Sequence, residues 1–368
     1  MQPHSGSRIF GLDLMRAVAI IIVMICHSDD LIDAFWSTGL GESGLDGVDL
    51  FFVLSGYLIG GILLRLCLST DLPWWLKLAD FWQRRWLRTL PNYFLFLAVN
   101  LVMLYAGLST GILNVNVLAY FVFLQNFWVP LDLFFWESWS LAVEEWFYLL
   151  FPLLLFAVIG LVKGVRIGFL VAVLVMIIIP TCLRPGAVEL IDTPFLLSVW
   201  VRKVVIYRLD TIGFGVLIAW LAHYWPRMLY ARRIELFVIG LCALVLAIML
   251  RTGINLTYMG TWFFTISGGG MALMLPALAS WHRTGKWGNG VVFLSKISYA
   301  LYLVHMPVRL LMIPLERDKS MVLTALIYVS YWAISIALAT IVYRYWERPF
   351  MALRDPLSAR IRRLNSSS

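Results

Sequence analysis

The sequence predicts an all-α fold: a polytopic integral membrane bundle of about ten transmembrane helices plus one re-entrant segment. Three observations predict it. Of 368 residues, 61% are apolar and only 14% charged, with a mean hydropathy of +0.85, whereas a soluble domain is nearer half apolar and a quarter charged. Apolar runs of about 20 residues, enough to span roughly 30 Å of hydrocarbon, recur along the whole chain. Lysine and arginine outnumber aspartate and glutamate by 29 to 21, and they sit in short runs between the apolar segments. Such runs set topology rather than nucleic-acid affinity. Disorder, a coiled coil and an ordinary soluble enzyme are excluded.

In chain order the spans fall near 10–28, 46–68, 90–108, 139–162, 166–183, 205–225, 234–251, 257–280, 290–313 and 321–345. The first carries Asp13 and Arg16 and lacks a small-residue cleavage site after it, so it reads as a retained span, not a cleaved signal. The stretch 112–128 is apolar but holds Asn114, Asn116, Gln125 and Asn126. Four amides make it a poor lipid-facing span, and it is expected to be re-entrant or packed against protein. The basic loops contain Lys77, Arg84, Arg85 and Arg88, then Lys163 and Arg166, then Arg227, Arg232 and Arg233, then Arg283 and Lys286. The tail adds Arg354, Arg360, Arg362 and Arg363. Counting ten spans and omitting 112–128 places all of these on one side with both termini, which the positive-inside rule makes cytoplasmic. Arg202 and Lys203 dissent, falling on the outer side. The tail beyond Pro349 is polar and expected to fray. Cys26, Cys67, Cys182 and Cys242 are widely scattered, so neither a disulfide framework nor a zinc site is expected, and no metal.

Ionisable groups inside a bilayer are costly and mark functional candidates. Arg16 and His27 lie 11 residues apart in the first span, which is three helical turns plus about 20° and a rise of roughly 16 Å. They share one helix face at different depths, and Asp13 is spaced for a local pair with Arg16. A snorkelling arginine and a helix-capping histidine fit the same positions. Asp49 opens the second span near the depth of His27, where it could orient that ring or cap its own helix. Ser55 and Gly56 follow in Gly47-Val48-Asp49-Leu50-Phe51-Phe52-Val53-Leu54-Ser55-Gly56-Tyr57, residues more often used in helix packing than in chemistry.

At the outer start of the fourth span stand Glu144, Glu145 and Tyr148. Adjacent carboxylates point about 100° apart, so at most one faces lipid, and a buried one suits proton transfer. An interfacial aromatic belt is the alternative. Arg208 and Asp210 are read as lying inside the sixth span, and His305 inside the ninth near Tyr299 and Tyr302. Arg84, Arg85 and Arg88 satisfy the positive-inside rule and would equally suit an anionic cytoplasmic ligand.

Taken in order, these segments resemble the integral-membrane acyltransferase family often called acyltransferase 3, which includes O-acetyltransferases of bacterial surface polysaccharides. The resemblance covers about residues 8–350. It rests on the Arg16 to His27 spacing, the Gly47 to Tyr57 stretch and the Arg85-x-x-Arg88 pair. It continues through Trp139-Ser140-Leu141-Ala142-Val143-Glu144-Glu145-Trp146-Phe147-Tyr148 and Ile297-Ser298-Tyr299-Ala300-Leu301-Tyr302-Leu303-Val304-His305, ending at Trp346-Glu347-Arg348-Pro349-Phe350.

The resemblance implies transfer of an acyl group, typically acetyl, from cytoplasmic acyl-CoA to a hydroxyl of a glycan or other acceptor at the outer face. Acyl-CoA is then a co-substrate, no cofactor is bound, and membrane lipid is the solvent. The family's essential histidine maps to His27, its arginine in the same span to Arg16, and its donor-handling pair to Arg85 and Arg88. The implied setting is a bacterial inner membrane, with a membrane acyltransferase domain over 8–350 and a basic cytoplasmic tail over 351–368. Some relatives add a soluble esterase-like domain, which this chain is expected to lack. Exopolysaccharide, lipopolysaccharide, peptidoglycan, lipid-linked sugars, antibiotics and osmolytes remain open as acceptors.

On this reading His27, oriented by Asp49 or Glu144, acts as general base or transient acyl carrier. Arg85 and Arg88 hold the CoA phosphates, and Arg16 lies on the thioester's route. Glu145, Tyr148, Ser55, His305, Arg208 and Asp210 are candidates for acceptor contact or support. An outer loop at 184–203, with Arg184, Glu189 and Asp192, is expected to help select the acceptor. The rival from another class is a transporter or permease using the same intramembrane charges as a relay. It would favour internal repeats, and none is evident. A sensor or assembly scaffold leaves the charge cluster unexplained.

Overall fold

The computed structural model describes residues 8–31, 47–109, 111, 116–130, 134–189, 191–251, 256–286, 288–315 and 320–366. Among these residues all regular structure is helical, as expected where hydrocarbon offers no outside partner for backbone N–H and C=O groups. Ten long helices follow the ten predicted spans. They are α1 (Phe10–Cys26), α2 (Gly47–Leu68), α3 (Trp74–Tyr105), α4 (Ser138–Val162), α5 (Val165–Val188), α6 (Leu209–Tyr224), α7 (Arg233–Arg251), α8 (Leu256–Ala279), α9 (Gly288–Met312) and α10 (Met321–Val342). Eight of the ten belong to helical runs long and apolar enough to cross a membrane, while α1 and α6 have 17 and 16 residues. The chain is a multi-pass membrane protein.

Contacts between the basic loops bring them together at one end, here called the basic end. There Gly11 N donates to Trp281 O at 2.9 Å, and Trp220 Nε1 donates to Arg166 O at 3.1 Å. The guanidinium of Arg166 lies 4.9 Å from the ring centre of Trp225.

Three boundaries differ from the sequence reading. Lys77, Arg84, Arg85 and Arg88 are not in a loop before the third span: α3 is one helix of 32 residues that begins at Trp74 and runs through Pro91. Its first half alternates basic and aromatic residues at helical spacing, and its buried face includes Lys77, Leu78, Asp80 and Phe81. Arg184 is not in an outer loop, because α5 continues through Pro180 and Pro185 to Val188. Arg208 is the N-cap of α6, not a residue inside it, since Val205–Tyr207 form a separate 3-10 turn.

Of the stretch 112–128, residues 112–115, including Asn114, lie outside the described residues. In the remainder Gln125 and Asn126 pack against protein, while Asn116 is exposed. After a short helix, Val117–Tyr120, Asn126 Nδ2 donates to Trp139 O at 3.1 Å and Lys203 O at 2.5 Å. Gln125 and Asn126 are buried. The dissenting Arg202 and Lys203 lie at the same end, over the rings of Trp139 and Trp136 at 6.0 and 4.4 Å.

The centre of the bundle is built on close backbone contact between α2 and α6. A Cβ added at Gly56 would overlap the carbonyl of Ile212, and one at Gly215 would overlap that of Val53. Small residues are what allow membrane helices to approach this closely. Around this pair, α1 packs on α2, α8 and α9, while α4 and α5 close the far side. Helix α7 is peripheral and exposes Ile234, Val238, Ile239 and Met249, the apolar surface a lipid-facing helix presents.

Candidate active site

Four helices deliver the candidate residues to one cavity of about 320 Å³. From α1 comes Arg16, from α2 Ser55 and Arg65, from α3 Arg85, Arg88 and Thr89, and from α4 Ser140, Glu144 and Tyr148. Helix α9 adds Ser298, Tyr299 and Tyr302, making it a fifth contributor. The volume lies within the range of small-molecule sites. Its charge is lopsided, with four guanidiniums and the single carboxylate of Glu144 in the lining. Fixed cations in a region of low dielectric favour an anionic ligand, and planar guanidinium forks match phosphate oxygens.

Ser55 Oγ and Tyr148 OH are 2.7 Å apart, and Glu144 lines the cavity beside them, with Arg85 and Arg88 in electrostatic reach. Tyr148 is also held from behind, since Trp82 Nε1 donates to its carbonyl at 2.9 Å. Glu145 points elsewhere, as its helical spacing demands. It is buried behind the cavity wall and accepts from Thr89 Oγ1 at 2.5 Å, while Tyr299 OH donates to Thr89 O at 2.8 Å.

Arg16 is tied at the basic end. It lies 3.6 Å from Asp13, the local pair expected from their spacing, and its Nη1 donates to Ser295 Oγ at 3.3 Å. Ser295 in turn donates to Asp13 at 2.6 Å. Arg8, before α1, donates twice to Asp13 at 2.7 and 2.9 Å, and this hydrogen bonding raises its pKa.

Towards the other end the cavity stops at Tyr302. The Tyr302 hydroxyl donates to Glu137 O at 3.0 Å and lies 2.7 Å from Ser140 Oγ. Its ring centre is 5.7 Å from that of His305. His305, fully buried on α9, meets His27 just past the end of α1: Nδ1 of His27 and Nε2 of His305 are 2.8 Å apart, and the rings are nearly parallel, 6° between planes. One proton between two neutral imidazoles makes one a donor and the other an acceptor. Engagement of Nδ1 fixes the ring of His27 and leaves Nε2 as the nitrogen outside this bond.

The geometry adds a second imidazole, that of His305, to the support expected for His27. Asp49 meets Arg208 in a buried ion pair, and Glu144 lines the cavity with Ser55 and Tyr148. Arg208 and Asp210 do not line the cavity. Arg208 stacks 4.1 Å from the ring centre of Phe264, and Asp210 pairs with fully buried Arg184 at 2.8 Å. Arg184, expected to select acceptor from a loop, is therefore a packing cation between α5 and α6, with Nη2 donating to Thr181 and Thr265 at 3.0 and 2.5 Å.

The profile of a family described as an acyltransferase domain matches residues 9–344. The chain belongs to the acyltransferase 3 family. Similar proteins include a "Putative O-acetyltransferase" of Staphylococcus aureus (strain COL), 29% identical over 92% of this chain and 57% of the relative. The "Putative peptidoglycan O-acetyltransferase YrhL" of Bacillus subtilis is 27% identical over 92% of this chain and 54% of its own length. "O-acetyltransferase OatA" of Staphylococcus aureus is 30% identical over 55% of this chain and 38% of its length. The chain spans little more than half the length of the first of these relatives. No solved structure matches it.

For this member of the acyltransferase 3 family, sequence reasoning missed Arg65, Thr89, Ser140, Ser298 and Tyr302 as cavity residues. Two signals could have found them. Arg65 is a cation in the last turn of an apolar helix, and Ser295, Ser298, Tyr302 and His305 recur at intervals of three and four, which is one face of a helix.

Proposed function

We propose that this chain is the membrane part of an O-acyltransferase that takes an acyl group, of which acetyl is the smallest, from acyl-CoA entering at the basic end. The carrying observation is the cationic cavity that ends at Tyr302, one ring away from the His305–His27 pair. With the basic end cytoplasmic, as the positive-inside rule sets it, donor and acceptor approach from opposite faces and meet at His27. The names of the relatives support an O-acetyl product, and that of YrhL supports a peptidoglycan glycan as acceptor.

In this reading Arg85, Arg88 and Arg65 hold donor phosphates and the acyl thioester extends past Arg16 and Glu144 towards Tyr302. His27 takes the proton of an acceptor hydroxyl as the oxygen attacks the thioester carbonyl. The C–S bond breaks, and the imidazolium returns the proton to the departing thiolate, so coenzyme A leaves as the free thiol. His305 holds the His27 ring in one tautomer, the role a second group plays in acid–base pairs.

The test is acceptor-dependent thiol release from acetyl-CoA by the purified chain in liposomes, with peptidoglycan fragments outside. His27→Ala is expected to abolish release while acetyl-CoA binding survives. Release undiminished in His27→Ala would overturn the assignment, and solute movement without any thiol release would favour a transporter.

A further inference from the structure

The family match ends at residue 344, but the fold continues. Tyr343–Glu347 form a π-helical turn, Arg348–Ala352 a short helix, and Arg354–Ser366 a helix, α11, that lies along the first half of α3. The segment expected to fray is thus docked. Ser358 donates to Asp80, Gln83 Nε2 donates to Arg354 O at 3.3 Å, and Arg84 pairs with Asp355 at 3.1 Å.

Docking sets Arg354 within Coulombic range of three cations, Arg84, Arg85 and Arg88, and of one anion, Glu347. Like charges brought together at a partly desolvated surface repel unless an anion compensates. Two nitrogens of Arg354, Nε and Nη2, are buried without a hydrogen-bond partner, and so is Nε of Arg85. Guanidinium N–H groups can only donate, and leaving them buried and unmatched is costly. Asp80 accepts from Ser358 and Arg84, and Glu347, which accepts from Asn92 at 2.9 Å, is the carboxylate in electrostatic reach of both Arg354 and Arg88. One carboxylate among these guanidiniums leaves the three buried N–H groups unmatched.

We propose that Arg354 completes an anion subsite with Arg85 and Arg88 for a phosphate ester, assembled by the docking of α11 on α3. Phosphate supplies the several acceptor oxygens that converging guanidinium forks require. The inference rests on the acyl-CoA reading for one source of that phosphate, the nucleotide end of the donor. An anionic phospholipid headgroup at the same end carries the same chemistry.

The experiment uses the purified full chain in phosphatidylcholine nanodiscs, titrated with coenzyme A and with pantetheine, which lacks the nucleotide phosphates. Native mass spectrometry measures retention of added phosphatidylglycerol in parallel. Arg354→Ala is expected to weaken coenzyme A binding roughly tenfold to a hundredfold with pantetheine binding unchanged. Arg354→Lys, a point charge without the fork, should fall between. Loss of phosphatidylglycerol with coenzyme A binding unchanged assigns the subsite to a lipid headgroup. Wild-type behaviour of Arg354→Ala towards both overturns the proposal. Equal loss of coenzyme A and pantetheine also overturns it, since α11 would then be only a prop, and Ser358→Ala, which loosens docking but keeps the guanidinium, would reproduce that pattern. A wild-type chain that binds no coenzyme A sinks the donor reading instead, and the lipid arm still decides on Arg354.

Discussion

Asp49 separates a structural from a catalytic account of the charges facing the outer end of the bundle. Its side chain is 4% exposed and that of its partner Arg208 is fully buried. Arg208 also has Nε and Nη1 buried without hydrogen-bond partners and packs on Phe264, so it depends on Asp49 for compensation. Asp49→Asn leaves a buried guanidinium facing a neutral amide. Removing one partner of such a pair costs about 3–5 kcal/mol, which at about 1.4 kcal/mol per tenfold is a loss of two to three orders of magnitude or more in the folded-to-unfolded ratio. A melting midpoint in detergent lower by several degrees is expected. Replacing both partners, as Asp49→Leu with Arg208→Met, removes the charges together and places a thioether on Phe264, so most of the loss should be recovered. Melting followed by intrinsic tryptophan fluorescence on wild type, single and double variants reads all three. An unshifted midpoint in Asp49→Asn accompanied by lost turnover would refute the argument and return Asp49 to the orientation of His27.

Two further outcomes follow from the packing and the charge. Gly215→Leu drives a side chain into the carbonyl of Val53, so α2 and α6 must separate; we expect at least the 1–3 kcal/mol of an overpacked core and a lowered midpoint, whereas Gly160→Leu, with open space around its Cβ position, should melt as wild type. Burial pushes the carboxyl of Glu137, in the turn before α4, up to about 8, so the fold favours its protonated form: stability is fully present below the unfolded value near 4.5 and falls as pH rises towards about 8. Glu137→Gln should flatten the dependence of the midpoint on pH across that window, and an unaltered slope would show that Glu137 titrates normally.

Much of the site was legible one residue at a time. Arg16, Arg85, Arg88, Glu144, Tyr148 and Ser55, singled out as charges or hydroxyls in apolar segments, all line one cavity. The partners were not legible. Asp49 and Arg208 are 159 positions apart, and His27 and His305 are 278 apart, and nothing in either local pattern specifies the other. Arg184 was misplaced because the apolar run ends at 183, whereas α5 continues through Pro180 and Pro185 to Val188. The tail was misread because its polarity suits solvent, yet Ser358 and Arg354 find Asp80 and Gln83 on α3.

By itself the sequence determined that this chain lives in a bilayer and where the ten long helices among the described residues fall. Hydropathy and charge act locally and additively on each segment, so no knowledge of neighbours is needed to read them. Only the tertiary structure decided which groups meet. Depth and rotation of a helix follow from contacts as close as Gly56 on Ile212 and Gly215 on Val53, and a rotation of one residue, about 100°, is enough to send Glu145 behind the wall while Glu144 faces the cavity.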